Sequence, residues 1–382
     1  MPTIALSGAT GFLGCHLMAR MLSAGDTVLA LVRGTPWSAT DRLERALRFA
    51  GVPEAADHLR AGRLRAVPAD LEQDHLGARA AEFQELADSI DEIWHSAART
   101  DLEAPLDVVS RANVDGTRHM LDLAAAGSRR PRFVHISTAF VAGGRATGLI
   151  GENDLDSSYG FLTPYEESKY HAEHLVRGWA TDGRRALVLR PSVLLSDRPP
   201  VPRGPRHPYA ALRLRLGRLA ARGPHCLAER FGLTLTARGG LLIRLPGRGD
   251  GQINAIPVEY AADAMLRLAR DDRGPGTTTR QVVHPVDTPI VQWLTAMAAA
   301  ASWTDLRIVE ELPDPTALES LLISSLPGAD RYSYHRRRYE RTALDLAEQR
   351  DGVTAPPALE APYLQAALSH PPRRTAPLLA ST

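Results

Sequence analysis

The first half of the chain alternates short β-rich apolar runs with longer segments of helical spacing. Ile4-Ala5-Leu6, Val28 to Val32, Leu64 to Val67, Glu92 to His95, Phe133 to Ile136 and Leu187 to Leu189 read as strands. Between them, Leu13 to Ser23, Asp41 to Ala50, Leu106 to Ala126 and Glu166 to Ala180 carry apolar residues near helical intervals. Repeated strand–helix units predict parallel strands joined by right-handed crossovers, with helices on both faces. The expected class is α/β, with a doubly wound parallel sheet.

The rhythm breaks after Leu195. Asp197 to Pro208 is rich in proline and arginine, which fixes φ and removes donors. Tyr209 to Gly223, "YAALRLRLGRLAARG", predicts a helix with interleaved leucine and arginine, read first as a solvated basic face and alternatively as a lipid-surface or pocket-covering helix. Ile253 to Arg270 predicts a strand and helix that return to the first unit. The expected division is therefore 1–195 with a return segment at about 251–290, and a smaller, discontinuous C-terminal substrate-binding region, 196–250 and 291–382. Pro356, Pro357, Pro362, Pro371, Pro372 and Pro377 argue against a packed terminus beyond short docking turns.

Composition narrows the classes. With 382 residues a sizeable core is possible, and 44% hydrophobic and 23% charged residues are ordinary for a folded chain. The formal net charge of +1 argues against nucleic acid as the main partner. Two cysteines, Cys15 and Cys226, are too few for a disulfide framework and lack metal-site spacing, so no metal is expected. Cys15 reads as a small packing residue. No leader-like segment or long apolar run occurs, so a cytoplasmic protein without a membrane span is expected.

Chemistry enters at "SGATGFLG", Ser7 to Gly14, where three glycines stand three apart after the first strand and at the start of the first helix. Gly8 suits a tight turn, Gly11 lets backbone approach a pyrophosphate, and Gly14 permits close helix–strand packing beside unpaired helix N–H groups. In this context the turn predicts dinucleotide binding on a Rossmann fold. Arg33, in "LALVRG" at the end of the second strand, stands where an acidic residue would select NAD, so NADP(H) is expected. Arg42 reads mainly as a surface arginine.

"PYEESKYHAE" places Tyr165 and Lys169 one turn apart on one helix face. A neighbouring ammonium and an oxidised nicotinamide would both favour the phenolate of the tyrosine. "HISTAF", at the end of the fifth strand, offers Ser137 and Thr138 as hydroxyl donors to a substrate oxygen. "RYSYHRRRYERTALD", Arg331 to Asp345, reads as a solvated basic face, with docking of an acidic carrier protein as alternative.

Together, "SGATGFLG", "AD" with Leu71, "HSAA", "NVDGT", "FVHISTAFVAG", "YEESKYHAE", "LRPSV" and "INAIPVEYAADA" make the chain resemble an extended short-chain dehydrogenase/reductase of the branch holding thioester reductase domains and fatty acyl-CoA reductases. The matching stretch runs from Ser7 to about Ala264. The resemblance implies that Thr138 is the hydroxyl of the catalytic triad, Tyr165 the acid–base and Lys169 its modulator, with Asn113 shaping the site through its helix. It implies cofactor contacts at Gly8, Thr10, Gly11, Phe12, Leu13 and Gly14, at Asp70 and Leu71 on the adenine, and at Ser96, Ala97 and Ala98. Pro191, Ser192 and Val193 match the segment passing the nicotinamide. Asn113 can alternatively cap or kink a helix, and His95 reads as a satisfied near-core histidine rather than a catalytic one. Where relatives continue "LRPSV" with a glycine-containing turn, this chain has "LLSDRPPVPRGPR", so the substrate mouth is expected to be reshaped. No adenylation or carrier domain stands within these residues, so the substrate, an acyl group on a carrier protein or coenzyme A, would be met in trans. The implied activity is NADPH-dependent reduction of an acyl thioester to aldehyde or alcohol. The alternatives are NADP-dependent alcohol/ketone oxidoreduction of a polyketide, sterol or sugar, and a silent NADP-sensing protein.

Overall fold

Seven strands form one all-parallel sheet: β1 (Thr3–Ser7), β2 (Thr27–Val32), β3 (Leu64–Pro68), β4 (Glu92–His95), β5 (Arg132–Ile136), β6 (Arg185–Pro191) and β7 (Gly276–Val282), in the order β7-β6-β5-β4-β1-β2-β3. The computed structural model describes residues 1–369 other than 53–54, 200, 206–208, 273, 300 and 325–328. Alternation along each strand sends neighbours to opposite faces. Ile4 and Leu6 of β1 join one apolar cluster while Ala5 joins the other, and Val28, Ala30 and Val32 of β2 part in the same way from Leu29 and Leu31. Both faces are covered, so the strands read as continuous apolar runs rather than as alternating ones.

The helices Gly14–Ser23, Pro36–Ala50 and Val258–Asp271 cover one face; Ala80–Ser89, Gly116–Ala126 and Pro164–Trp179 cover the other. Strand order reverses between β4 and β1, which opens a crevice beyond their carboxyl ends. β7 completes the sheet from far along the chain, 85 positions after its neighbour β6 ends. Within 251–290, helix Val258–Asp271 and β7 pack with the large sheet and Ala255–Pro257 pairs with Val193–Leu195, while Ile253, Ala255 and Ile290 belong to a separate apolar cluster.

A third apolar cluster is built from Leu219, Leu241, Ile243, Trp293, Leu318 and Leu364, among others. Its scaffold is the parallel pair Leu241–Pro246 and Thr304–Val309 with the helices Ile290–Ala298 and Ala317–Ile323. The 291–382 stretch is not wholly on this side. Helix Thr342–Asp351 inserts Leu344 and Ala347 into the first cluster, beside the sheet.

Three sequence expectations change here. The predicted 209–223 helix runs on as Ala210–Phe231, with a break at Gly223 (φ 73°) that accommodates Pro224, whose ring cannot follow a helical residue without a clash. The side chains of 210–216, on which its surface role was read, lie outside the described residues. The proline-rich end packs as far as residue 369: Ala361–Ser369 is a helix whose Leu364, Ala367 and Leu368 are fully buried, and Pro362 sits in its first turn, where no N–H is needed. Pro371, Pro372 and Pro377 lie outside the described residues. The basic run is not a free patch either. Arg336–Tyr339 is a strand beside Thr147–Ile150; Arg337 is 3% exposed and donates to the carbonyls of Gly143 and Arg145, while Arg336 pairs with Asp250.

Candidate active site

The glycine turn stands at the carboxyl end of β1, at the strand-order reversal. Gly8 has φ 73°, and a Cβ there would sit 2.7 Å from the backbone nitrogen of Ala97. A Cβ on Gly14 would lie 2.0 Å from the Gly8 carbonyl oxygen, so helix and turn meet at a distance only glycine allows. A Cβ on Gly11 would meet only that same oxygen, at 3.1 Å, and its outer side is open. The turn is a backbone cradle followed by a helix N-terminus, which fits a pyrophosphate. Ala97, of the 96–98 segment beyond β4, anchors it by donating to Ser7 Oγ at 3.2 Å.

Beyond β2, the Arg33 guanidinium lies 3.1 Å from Asp70 and 2.9 Å from Glu72, and is 63% exposed. Arg42, exposed as a surface arginine should be, nevertheless reaches the site: it donates to the Arg33 carbonyl and to Thr10 Oγ1, both at 2.9 Å. Arg33 and Arg42 thus meet beside Thr10 of the turn, with Asp70 and Glu72 paired to Arg33. Leu71 lies against Gly116, and its carbonyl accepts from His119 Nδ1.

The hydroxyl and phenol come from two elements. β5 ends at Ile136, and Thr138 caps the short helix Ala139–Ala142 by accepting from the Phe140 amide. Thr163 caps Pro164–Trp179 and Pro164 occupies its first position, which places Tyr165 in the first turn and Lys169 one turn on. The Thr138 hydroxyl lies within interaction reach of the Tyr165 phenol. Burial raises that phenol to about 12 against the lowering influence of Thr138, and Lys169 is not among the groups that shift it. Lys169 is 1% exposed and donates to the Ile136 carbonyl at 2.7 Å, with His135 Nε2 at 3.4 Å; burial lowers its amine to about 7. Burial thus favours the protonated form of the tyrosine.

Asn113 occupies a π-helical turn, Arg111–Asp115, between two α-helical stretches. Its amide accepts from the Arg99 N–H at 2.7 Å and donates to the Arg99 carbonyl and to Ser168 Oγ, so it ties this helix to the one carrying Tyr165 and Lys169. Pro191 ends β6; Ser192 is 5% exposed, and its hydroxyl has no partner among the described residues. Such an orphan polar atom beside Val193 fits the amide of a nicotinamide.

Ser137 is the exception among the offered hydroxyls. Its Oγ donates to Glu173 at 2.9 Å, beneath the site rather than into it. His95 is fully buried between Ser7 Oγ and Thr117 Oγ1, and burial holds it to about 3, neutral and structural. Cys15 donates to the Phe12 carbonyl, and burial raises its thiol to about 12. Among the described residues no His, Cys, Asp or Glu cluster suits a metal ion, and no helix is long and apolar enough to cross a membrane.

Sequence reasoning missed Tyr332. It stacks on Phe140 at 4.4 Å, sits 3.5 Å from Thr163 Oγ1, and is a near neighbour of Tyr165 and Glu166. The only signal available was the tyrosine interleaving of the basic run.

Residues 6–265 match the family model of the NAD-binding male sterility protein. The chain is 30% identical over 335 residues to the carboxylic acid reductase of Mycobacterium tuberculosis, a match covering 81% of this chain and 27% of that protein. It is 30% identical over 295 residues to the isonitrile lipopeptide synthase of Streptomyces coeruleorubidus, covering 75% of this chain and 18% of that protein. The chain thus spans only a small part of the length of these curated relatives. Among solved structures, the terminal R domain from the myxalamid PKS-NRPS biosynthetic pathway superposes with a TM-score of 0.75 at 23% identity, covering 96% of this chain and 89% of that one. With the glycine cradle, the Thr138–Tyr165–Lys169 group and this match over more than half its length, the chain belongs to the male sterility protein family, on the thioester reductase branch of the extended short-chain dehydrogenase/reductases.

Proposed function

We propose that the protein is an NADPH-dependent reductase that converts an acyl thioester, borne by a carrier protein or coenzyme A, to an aldehyde or alcohol. The observation that carries this reading is the Thr138 hydroxyl facing the Tyr165 phenol beside a buried Lys169, beyond the carboxyl end of β5 in the same parallel sheet whose β1 leads into the glycine cradle.

The dinucleotide would be held by Gly8 to Gly14, Arg33, Arg42, the 96–98 segment and Ser192, and when bound it supplies a hydride for the thioester carbonyl carbon. Thr138 and Tyr165 donate to the carbonyl oxygen as it gains negative charge, and preorganised donors at that position supply most of the acceleration. Tyr165, held protonated by burial, passes its proton to the oxygen, leaving a hemithioacetal. That adduct splits into aldehyde and thiol as its C–S bond breaks and the hydroxyl proton passes to the departing sulfur, while Tyr165 regains a proton from solvent. Asn113 and Lys169 keep the tyrosine helix in register with β5. A second cycle on the aldehyde would give the alcohol. We also read residues 1–195 with 251–290 as the cofactor-binding part and most of the rest as the substrate-binding part, supported by the separate apolar cluster around Trp293.

Tyr165→Phe tests the reading. NADPH oxidation with acyl thioesters should fall at least about a hundredfold while NADPH binding, followed by fluorescence, stays within a few-fold. Turnover at the parental rate, or a parental protein that reduces simple ketones but no thioester, would refute it.

A further inference from the structure

Lys169 is the only lysine in the sequence. Its amine is shut off from water, and among the described residues no ion pair holds it; Glu173, one turn on, is engaged by Arg190, Arg177 and Ser137. What the amine does touch is two neutral acceptors from consecutive residues of β5, the Ile136 carbonyl at 2.7 Å and His135 Nε2 at 3.4 Å.

Strand alternation puts the imidazole there. Val134 and Ile136 face one apolar cluster, whereas Phe133 and with it His135 face the side covered by helix Pro164–Trp179. His135 pairs in register with His95 of β4, and the two rings lie 5.6 Å apart. Both nitrogens of His95 are used, on Ser7 Oγ and Thr117 Oγ1. His135 is equally buried, yet its Nδ1 has no partner among the described residues. An apolar side chain would avoid that orphan nitrogen, so packing alone does not account for a histidine here. The titratable groups around the amine are thus His135, with His95 behind it, and on its own helix Tyr165 and Glu173, the latter paired to Arg190 of β6 and to Arg177. Burial, the Lys169 charge and His95 hold His135 well below its ordinary value, so the ring is neutral and can present a lone pair.

We infer that His135 is a positioning residue for Lys169: its Nε2 and the Ile136 carbonyl take two of the three ammonium donors, fix the amine at the end of β5 and leave one N–H for the reaction. The reaction it serves is the thioester reduction proposed above, and the inference rests on that reading. A lone pair that accepts from the ammonium favours the charged form, against the burial that draws this amine down to about 7. Loss of the imidazole therefore makes Lys169 surrender its proton at lower pH.

The single lysine makes the test direct. Protein labelled with carbon-13 at lysine Cε gives one signal, whose pH titration reads this amine alone. His135→Leu should lower the midpoint by about one pH unit. His135→Gln, whose Oε1 can stand in for Nε2, should recover most of the difference. His135→Asn is polar but too short to reach Nζ; it should behave as the Leu variant and replaces it if that protein does not fold. Phe133→Leu loosens the same face of β5 without removing an acceptor and should leave the midpoint at the parental value. With NADPH and octanoyl N-acetylcysteamine thioester, the basic limb of kcat/KM should move with the signal. An unchanged midpoint without the imidazole, or an equal shift from Phe133→Leu, overturns the inference, as does a kcat/KM limb that stays fixed while the signal moves. A moving signal in a parental protein that reduces no thioester supports the His135 contact and removes only the reductase reading.

Discussion

Glu173→Gln would strike the support beneath the site. The Glu173 carboxylate is fully buried and accepts from Arg190 at 2.6 and 3.1 Å, from Arg177 at 2.8 and 3.1 Å, and from Ser137 at 2.9 Å. Burial pushes its carboxyl up, but the two guanidiniums outweigh that and hold it below the usual carboxylate range. Arg190 is itself fully buried, and its other bond goes to the Glu152 carbonyl. A glutamine keeps the shape but turns an NH₂ toward one set of donors, leaving an uncompensated buried guanidinium. Breaking a buried pair from one side costs about 3–5 kcal/mol, a large share of the 5–15 kcal/mol typical of a folded protein. The midpoint of chemical denaturation, followed by tryptophan fluorescence, should drop accordingly. Glu173→Leu combined with Arg190→Met removes both charges and should recover at least half of the loss, since hydrophobic replacement of a buried pair is often neutral. A depressed carboxyl stabilises above its unfolded value of about 4.5 and loses that contribution as pH falls through the folded one; the parent should therefore show an acid-side decline that the Gln variant lacks. A loss under about 1 kcal/mol would refute the assignment of Glu173 as the keystone of the cluster.

Three further outcomes follow from the geometry. Lys169 has a folded value of about 7 against 10.5 in the unfolded chain, so between these the unfolded chain binds more protons and the native state loses stability as pH falls, by up to about 1.4 kcal/mol per pH unit. Lys169→Met should thus be inactive yet more resistant to denaturant at pH 7, with the advantage vanishing near pH 10.5; an equal gap at both pH values would contradict this. Gly14→Ala, whose Cβ would lie 2.0 Å from the Gly8 carbonyl oxygen, should lose NADPH binding and about 1–3 kcal/mol or more of stability, measured by calorimetry and thermal melting. Arg42→Ala should raise KM for NADPH about tenfold to a hundredfold while leaving KM for NADH nearly unchanged; equal effects on both cofactors would remove Arg42 from the 2′-phosphate.

Sequence alone carried six of the seven sheet strands and the turn because these are local, whereas the edge strand Gly276–Val282 was not legible. Strand and helix periodicities depend on residues a few positions apart, and the reason for glycine at 8 and 14 lies within one strand–turn–helix. Tyr165 and Lys169 were legible for the same reason, being one helical turn apart. What the tertiary structure decided was which distant groups meet. Tyr332 reaches Thr163 across 169 positions, Arg42 folds back onto Thr10, and Ser137 turns away to Glu173, none of which a local pattern encodes. The basic run shows the limit most clearly. Its charge suggested a solvated face, but strand pairing buries Arg337 on carbonyl oxygens, since the inward side of a strand is set by its neighbour and not by the charge it carries.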